Sequence, residues 1–120
     1  MEKLSTGVFK VVDGEVVTFD VSASGTLFGV NHRVSGGGGG GPLTQDQPLN
    51  LTMNKEDADE ESEDVPNART TVVTLTFNFS NKKGGRYDWT ITGSEGGTDT
   101  DFTRQAGSGP RIIRFLFHIV

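Results

Sequence analysis

The residues in this chain best suited to catalysis are its two histidines, His32 and His118. A nucleophilic hydrolase needs a Ser, Thr or Cys beside a histidine that a third group orients, and a protein zinc site needs three or more ligands. Neither histidine lies in a His-x-His or Glu-x-x-His pattern. We therefore expect no catalytic residues, and a hydrolase or metal enzyme built on His32 or His118 is the least favoured alternative.

A second candidate group is the set of carboxylates in a glycine-rich segment, Glu95, Asp99 and Asp101. Asp99 and Asp101 are two residues apart, so in an extended chain their side chains project to the same side. Clustered oxygen ligands are what Ca²⁺ requires in proteins. The spacing is compatible with a Ca²⁺ site, although the rest of an EF-hand loop is missing, and no other cofactor is predicted.

The aromatic residues that could bind a carbohydrate are Tyr87 and Trp89, flanked by Arg86 and Asp88. Their alternation with Ile91 places both rings on the apolar face of a strand, which favours a position in the core. If the rings were exposed instead, they would form a stacking platform for a sugar. Carbohydrate binding, with or without Ca²⁺, is therefore the second functional prediction.

Composition and charge exclude several classes of protein. The chain has 120 residues, no cysteine and a net charge of −5, so disulfides and thiolate metal sites are excluded and nucleic acid is disfavoured as a partner. No apolar stretch approaches the roughly 20 residues that span a membrane, and no secretory segment is apparent. We expect a cytoplasmic protein, and a secreted protein trimmed of its leader would have the same sequence.

The elements that must position these residues are strands, because nearly every apolar stretch alternates with a period of two. Seven segments show this pattern or a short version of it: 7–12, 15–23, 26–34, 49–53, 70–80, 86–92 and 111–120. Short strands without helices predict an antiparallel β-sandwich with immunoglobulin-like or jelly-roll connectivity. The whole chain, 1–120, is one predicted domain with flexible loops at 35–42, 55–69 and 93–110. The last strand is expected in the middle of a sheet.

The first two segments flank Asp13-Gly14, which is a strong signal for a two-residue hairpin turn. The resulting register pairs Val8 with Phe19 and leaves a second apolar face that carries Phe9, Val11 and Val16. A hairpin with two apolar faces needs a cover on both, which indicates an interface.

These observations favour a noncatalytic binding module that associates with a protein partner or with copies of itself. Its predicted contact residues are Phe9, Val11 and Val16. The carbohydrate alternative uses Arg86, Tyr87, Asp88 and Trp89. A further feature is the acidic segment Lys55–Asp64, which holds seven of the 16 acidic residues and is predicted to be a solvated loop or an arm that docks a partner.

Overall fold

Two β-sheets that pack against each other make up the described part of the chain. The computed structural model describes residues 1–25, 27–36, 39–44, 47–79, 85–106 and 109–120, without the side chains of 27, 28 and 101–106. Its strands are β1 (Glu2–Ser5), β2 (Val8–Val11), β3 (Glu15–Gly25), β4 (Leu27–Val34), β5 (Gly40–Leu43), β6 (Leu49–Met53), β7 (Glu60–Glu61), β8 (Arg69–Phe79), β9 (Gly85–Gly93), β10 (Thr98–Ala106) and β11 (Gly109–Ile119). The predicted all-β sandwich is confirmed; immunoglobulin-like or jelly-roll connectivity stays a prediction.

The first sheet has the strand order β1-β2-β11-β8-β4-β5, with β7 pairing to the start of β8. The second sheet has the order β10-β9-β3-β6. Every described pairing is antiparallel except that of β2 with β11, which is parallel. The strand β11 lies between β2 and β8, so its predicted central position is confirmed. All seven predicted strands are present, with ends within two residues of the predicted ones.

The core lies between the sheets and is built from the alternating apolar residues of the long strands. On β8 the buried side chains alternate with half-buried ones that face outward, as expected for a strand with one face in the core. Stacked and edge-to-face rings join the two sheets at the centre, where Phe19 lies 6.0 Å from Phe115. The largest fully buried apolar side chains are Phe9, Phe19, Phe77, Phe115, Phe117, Met53, Leu75, Ile91 and Ile119.

The predicted hairpin at Asp13-Gly14 is wrong. The strand β2 pairs with β1 and β11 in the first sheet, whereas β3 pairs with β6 and β9 in the second. The turn is tight, with Gly14 at φ +86°, but it carries the chain across the core from one sheet to the other. The same tight turn serves a hairpin within one sheet and a crossover between two sheets. The hairpin was predicted to have two apolar faces because β2 and β3 face the core from opposite sheets.

Strands also occur inside all three predicted loops. The strand β5 falls in the glycine-rich segment 35–42, of which residues 37 and 38 lie outside the described part. The strand β10 falls in 93–110 and forms an edge of the second sheet. A 3-10 helix, Lys55–Asp57, and β7 fall in 55–69.

The acidic segment folds against the outer face of the first sheet, where β7 pairs with the start of β8. The guanidinium of Arg69 donates hydrogen bonds to the carbonyl of Ala58 at 2.9 and 3.2 Å, and Ala58 itself is buried. All seven carboxylate side chains remain exposed. The segment is therefore attached through its backbone and the buried Ala58, while its charges face solvent.

Candidate binding site between the sheets

A cleft opens at one edge of the sandwich because β2 is much shorter than β11. The strand β2 pairs only with Leu116 and the three residues after it, since the chain reverses at Gly7 to form β1. Gly7 has φ +71° and lies against the carbonyl of Arg114, so the turn needs a residue without a side chain. The first half of β11 thus has no described neighbour on this side. The cleft beside it has a volume of about 450 Å³, within the usual range for small-molecule sites.

The floor of the cleft is apolar and largely aromatic. Tyr87 and Trp89 come from β9, and Ile113 and Phe115 come from β11. Trp89 packs edge-on against Phe115 with ring centroids 5.4 Å apart, and Tyr87 lies 6.2 Å from Trp89. Each of these two rings is 8% exposed. The period-two pattern therefore correctly predicted an inward position for both rings, yet both also line the cleft.

The rim of the cleft carries an ion pair that joins the two sheets. Lys3 on β1 and Asp99 on β10 approach to 2.9 Å between Nζ and Oδ1. Lys3 is about half exposed, whereas Asp99 is 16% exposed. The hydroxyl-bearing residues Thr6 and Thr100 lie on the same lining. The rim thus offers a cation, a carboxylate and hydroxyl groups within one small opening.

The indole nitrogen of Trp89 is the unusual atom of this site. Nε1 is buried and has no hydrogen-bond partner among the described residues. An indole N–H can only donate, and a buried donor left without an acceptor costs about 1–3 kcal/mol. Native proteins keep few such groups, so this one on a cleft-lining ring calls for an explanation.

The other residues predicted for carbohydrate or Ca²⁺ binding lie elsewhere or are only partly described. Arg86 and Asp88 point away from the core on β9, where the Ser22 hydroxyl donates to the Asp88 carboxylate. Glu95 is exposed in the turn after β9. The backbone of Asp101 pairs with that of Trp89, while its side chain is outside the described set. Of the predicted carboxylates whose side chains the structure describes, Asp99 lines the cleft and Glu95 does not, and the Ca²⁺ site stays a prediction.

The predicted interface residues lie mainly in the core. Phe9 and Val11 are at most 1% exposed, because both point from β2 towards the second sheet. They offer no surface to a partner. Val16 is half-buried on the outer face of β3, where its backbone N–H donates to the Ser94 hydroxyl at 2.9 Å. The apolar face that suggested an interface is therefore divided between the core and the outside of the second sheet.

The two histidines lie on different faces of the first sheet. His32 is half-buried, and its Nδ1 lies 2.8 Å from the carbonyl of Gly41, which accepts a hydrogen bond from it. The alternation of the last strand puts His118 on its polar, outward face and predicts an exposed side chain, but His118 is buried beneath the acidic segment, with Nδ1 2.8 Å from the Thr70 hydroxyl and 2.9 Å from that of Ser62. Its Nε2 has no described partner, so no third group orients the ring for a nucleophilic mechanism.

The described residues contain no group of three or more His, Asp or Glu placed to hold a metal ion. They also include no helix that is long and apolar enough to cross a membrane. The chain matches no protein-family model, no curated protein and no solved structure. Inference about function therefore depends on the cleft and the surfaces described above.

The sequence did not predict that the cleft is also lined by Lys3, Thr6, Thr100 and Phe115. Lys3 and Thr6 lie in a short polar segment without a readable pattern, and Lys3 meets Asp99 across 96 positions of sequence. Phe115 was predicted to be a core residue, which it is. No local signal links these residues, because the cleft depends on where β2 stops along β11.

Proposed function

We propose that this protein is a noncatalytic β-sandwich module that binds one neutral sugar ring in the cleft between its sheets. The observation that carries the proposal is Trp89, a cleft-lining ring with a buried N–H that has no acceptor among the described residues. Because Nε1 is itself buried, a ligand oxygen reaches it only when the ring or the lining shifts on binding, and that hydrogen bond then removes the cost. Binding without catalysis is proposed because neither His32 nor His118 lines the cleft.

The charges that line the cleft favour a polyol over a cation. Lys3 and Asp99 neutralise each other at 2.9 Å, and Arg114 adds a positive charge to the same lining, so a cation meets a net positive site. A sugar hydroxyl donates and accepts at once, so it can bridge the ammonium and the carboxylate without separating their charges. The exposed parts of Tyr87 and Trp89 are small, so they offer the sugar an apolar contact at the floor of the cleft and not a stacking face.

The test is calorimetric titration of the intact protein with a panel of neutral, acidic and amino monosaccharides and disaccharides. We expect saturable binding of a neutral member, with a dissociation constant of about 1 mM or lower. Trp89→Phe keeps the ring but removes the donor, and we expect it to weaken binding by about tenfold, the equivalent of one hydrogen bond.

A matched pair of variants locates the binding. Asp99→Asn removes the rim charge and leaves Lys3 unpaired, so it should weaken binding of the same sugar. Asp88→Asn changes a carboxylate on the outer face of the same sheet and should leave binding unchanged. Absence of binding across the panel, or equal losses for the two variants, contradicts the proposed function.

A further inference from the structure

The outer face of the first sheet carries a second groove, which shares Arg114 with the lining of the cleft. It has a volume of about 610 Å³ and is lined on its floor by Val72, Thr74 and Thr76 of β8. Its walls include Arg33 of β4 and Ile112 of β11, and the latter is 53% exposed. A single exposed isoleucine is ordinary on a protein surface, so the charges of the groove carry the inference.

Two arginines lie in one transverse row across this groove. Arg33 and Arg114 both pair with Thr74, from opposite sides of β8. Two strand spacings separate their backbones by roughly 10 Å. Both side chains are exposed, and neither forms an ion pair with any residue in the described part of the chain. The groove therefore has two uncompensated positive charges at its centre.

The acidic segment lies at the end of the same groove, where Asp59 contributes to the lining. Its seven carboxylates are exposed, and the ion pairs found among the described residues involve none of them. Its backbone is attached by the pairing of β7 with β8 and by Arg69 at Ala58. This attachment fixes the backbone of the segment at the end of the groove.

We infer that the groove binds the acidic segment of a second copy of this chain. The two surfaces have complementary charge: one face of the molecule carries a positive groove and a negative segment side by side, and the described ion pairs involve neither Arg33, Arg114 nor the seven carboxylates. A two-fold axis between two such faces places each segment against the other groove, which gives a closed dimer with two identical contacts. Association of this kind is steered by charge and weakens with salt.

The experiment is sedimentation velocity of the full chain over a range of protein concentrations, in about 0.05 M and about 0.5 M NaCl. We expect a monomer–dimer equilibrium whose dissociation constant rises at least tenfold at the higher salt. Arg33→Glu with Arg114→Glu should give a monomer at both salts. Arg111→Glu is the control, because Arg111 lies on β11 outside the groove lining and should leave the dimer intact.

A charge-swapped pair separates a true contact from loss of folding. Asp59→Lys with Glu61→Lys reverses two of the seven acidic charges, which changes the net charge of the segment from −6 to −2, and should also give a monomer alone. Mixing this variant with the double arginine variant restores opposite charges at both contacts, so the mixture should form a heterodimer. A monomeric native chain at low salt, or failure of the mixture to associate while both variants keep the native circular dichroism spectrum, overturns the inference. Binding of inorganic phosphate by a monomer, lost in the arginine variant, overturns it in favour of a small-anion site.

Discussion

Replacing Glu15 with glutamine should destabilise the fold. We expect a larger loss than for any other single Glu→Gln or Asp→Asn substitution in this chain. Glu15 is 1% exposed and lies where the chain crosses from the first sheet to the second. Its carboxylate accepts hydrogen bonds from the Met1 ammonium at 2.8 Å, from the Val12 N–H at 3.1 Å and from the Glu95 N–H at 3.3 Å. One side chain thus joins the first residue, the crossover and the turn after β9.

The size of the effect follows from these contacts. Glutamine keeps one acceptor oxygen but places an NH₂ group near donors and leaves the buried ammonium without its counter-charge. Breaking a buried ion pair from one side costs about 3–5 kcal/mol, and the retained acceptor offsets part of this, so we expect about 3 kcal/mol. For a domain of this size that corresponds to a fall in Tm of about 12 °C.

The effect should also depend on pH. Burial raises the pKa of the Glu15 carboxyl, but hydrogen bonds from the Met1 ammonium and from the Val12 and Glu95 amides outweigh it, and the pKa lies below its ordinary value of 4.5. The unfolded chain therefore binds this proton more readily than the folded one. The stabilisation by Glu15 is complete above about pH 4.5 and is lost as pH falls through the folded-state pKa.

Urea denaturation followed by circular dichroism, at neutral pH and at about pH 3, measures both quantities. We expect the free energy of unfolding of the native chain and of Glu15→Gln to differ by about 3 kcal/mol at neutral pH and to converge in acid. Glu95→Gln is the control, because the Glu95 side chain is exposed and only its backbone N–H contacts Glu15. A difference under about 0.5 kcal/mol at neutral pH, or one that persists unchanged in acid, refutes this reasoning.

Two further predictions concern packing. Gly36→Ala forces a methyl group against the backbone oxygen of Asp57 and should lower the free energy of unfolding by about 1–3 kcal/mol. Gly29→Ala meets nothing within 4 Å and should lower it by less than about 1 kcal/mol, and the Tm values of both variants check this. Phe115→Ala removes a core ring and should lower the free energy of unfolding, measured by urea denaturation, by about 3–5 kcal/mol. Ile112 is exposed, so Ile112→Ala should change the same quantity by less than about 0.5 kcal/mol. Equal effects within either pair contradict the packing described here.

Much of the fold could be predicted from the sequence because the long strands follow a strict alternation. In β8 from Val73 to Phe79 and in β9 from Tyr87 to Ile91 every second residue is apolar and buried, so both the strand and its inward face are readable. The crossover at Asp13-Gly14 could not be read, because a tight turn fixes the reversal of the chain but not the sheet in which the next strand pairs. Long-range pairings such as β2 with β11 decide that question.

The elements that the sequence did not reveal are the ones without an apolar alternation. The strand β10 is polar at its start and forms a sheet edge, so its stability comes from pairing with β9. The acidic segment has few apolar side chains, and its position depends on Arg69 and on the pairing of β7. Its cover over His118 makes that residue buried, although the strand pattern correctly placed it on the outward face of β11.

The candidate site was predictable in part. Tyr87, Trp89 and Asp99 were singled out by residue type and all three line the cleft. Their association with Lys3 was not predictable, because the contact joins two edge strands that are adjacent only after the sheets pack. Arg86 and Asp88 were grouped with the rings by proximity in sequence, yet alternation along a strand puts immediate neighbours on opposite faces.

The most direct test of the proposed sugar-binding cleft is the indole N–H signal of Trp89 in a ¹H–¹⁵N NMR spectrum. The chain has one tryptophan, so the signal needs no assignment. On titration with a neutral sugar that binds by calorimetry, we predict a saturable shift of this signal and slower exchange of its proton with solvent, because the ligand supplies the missing acceptor. An indole signal that stays fixed while the sugar saturates the protein would contradict the account.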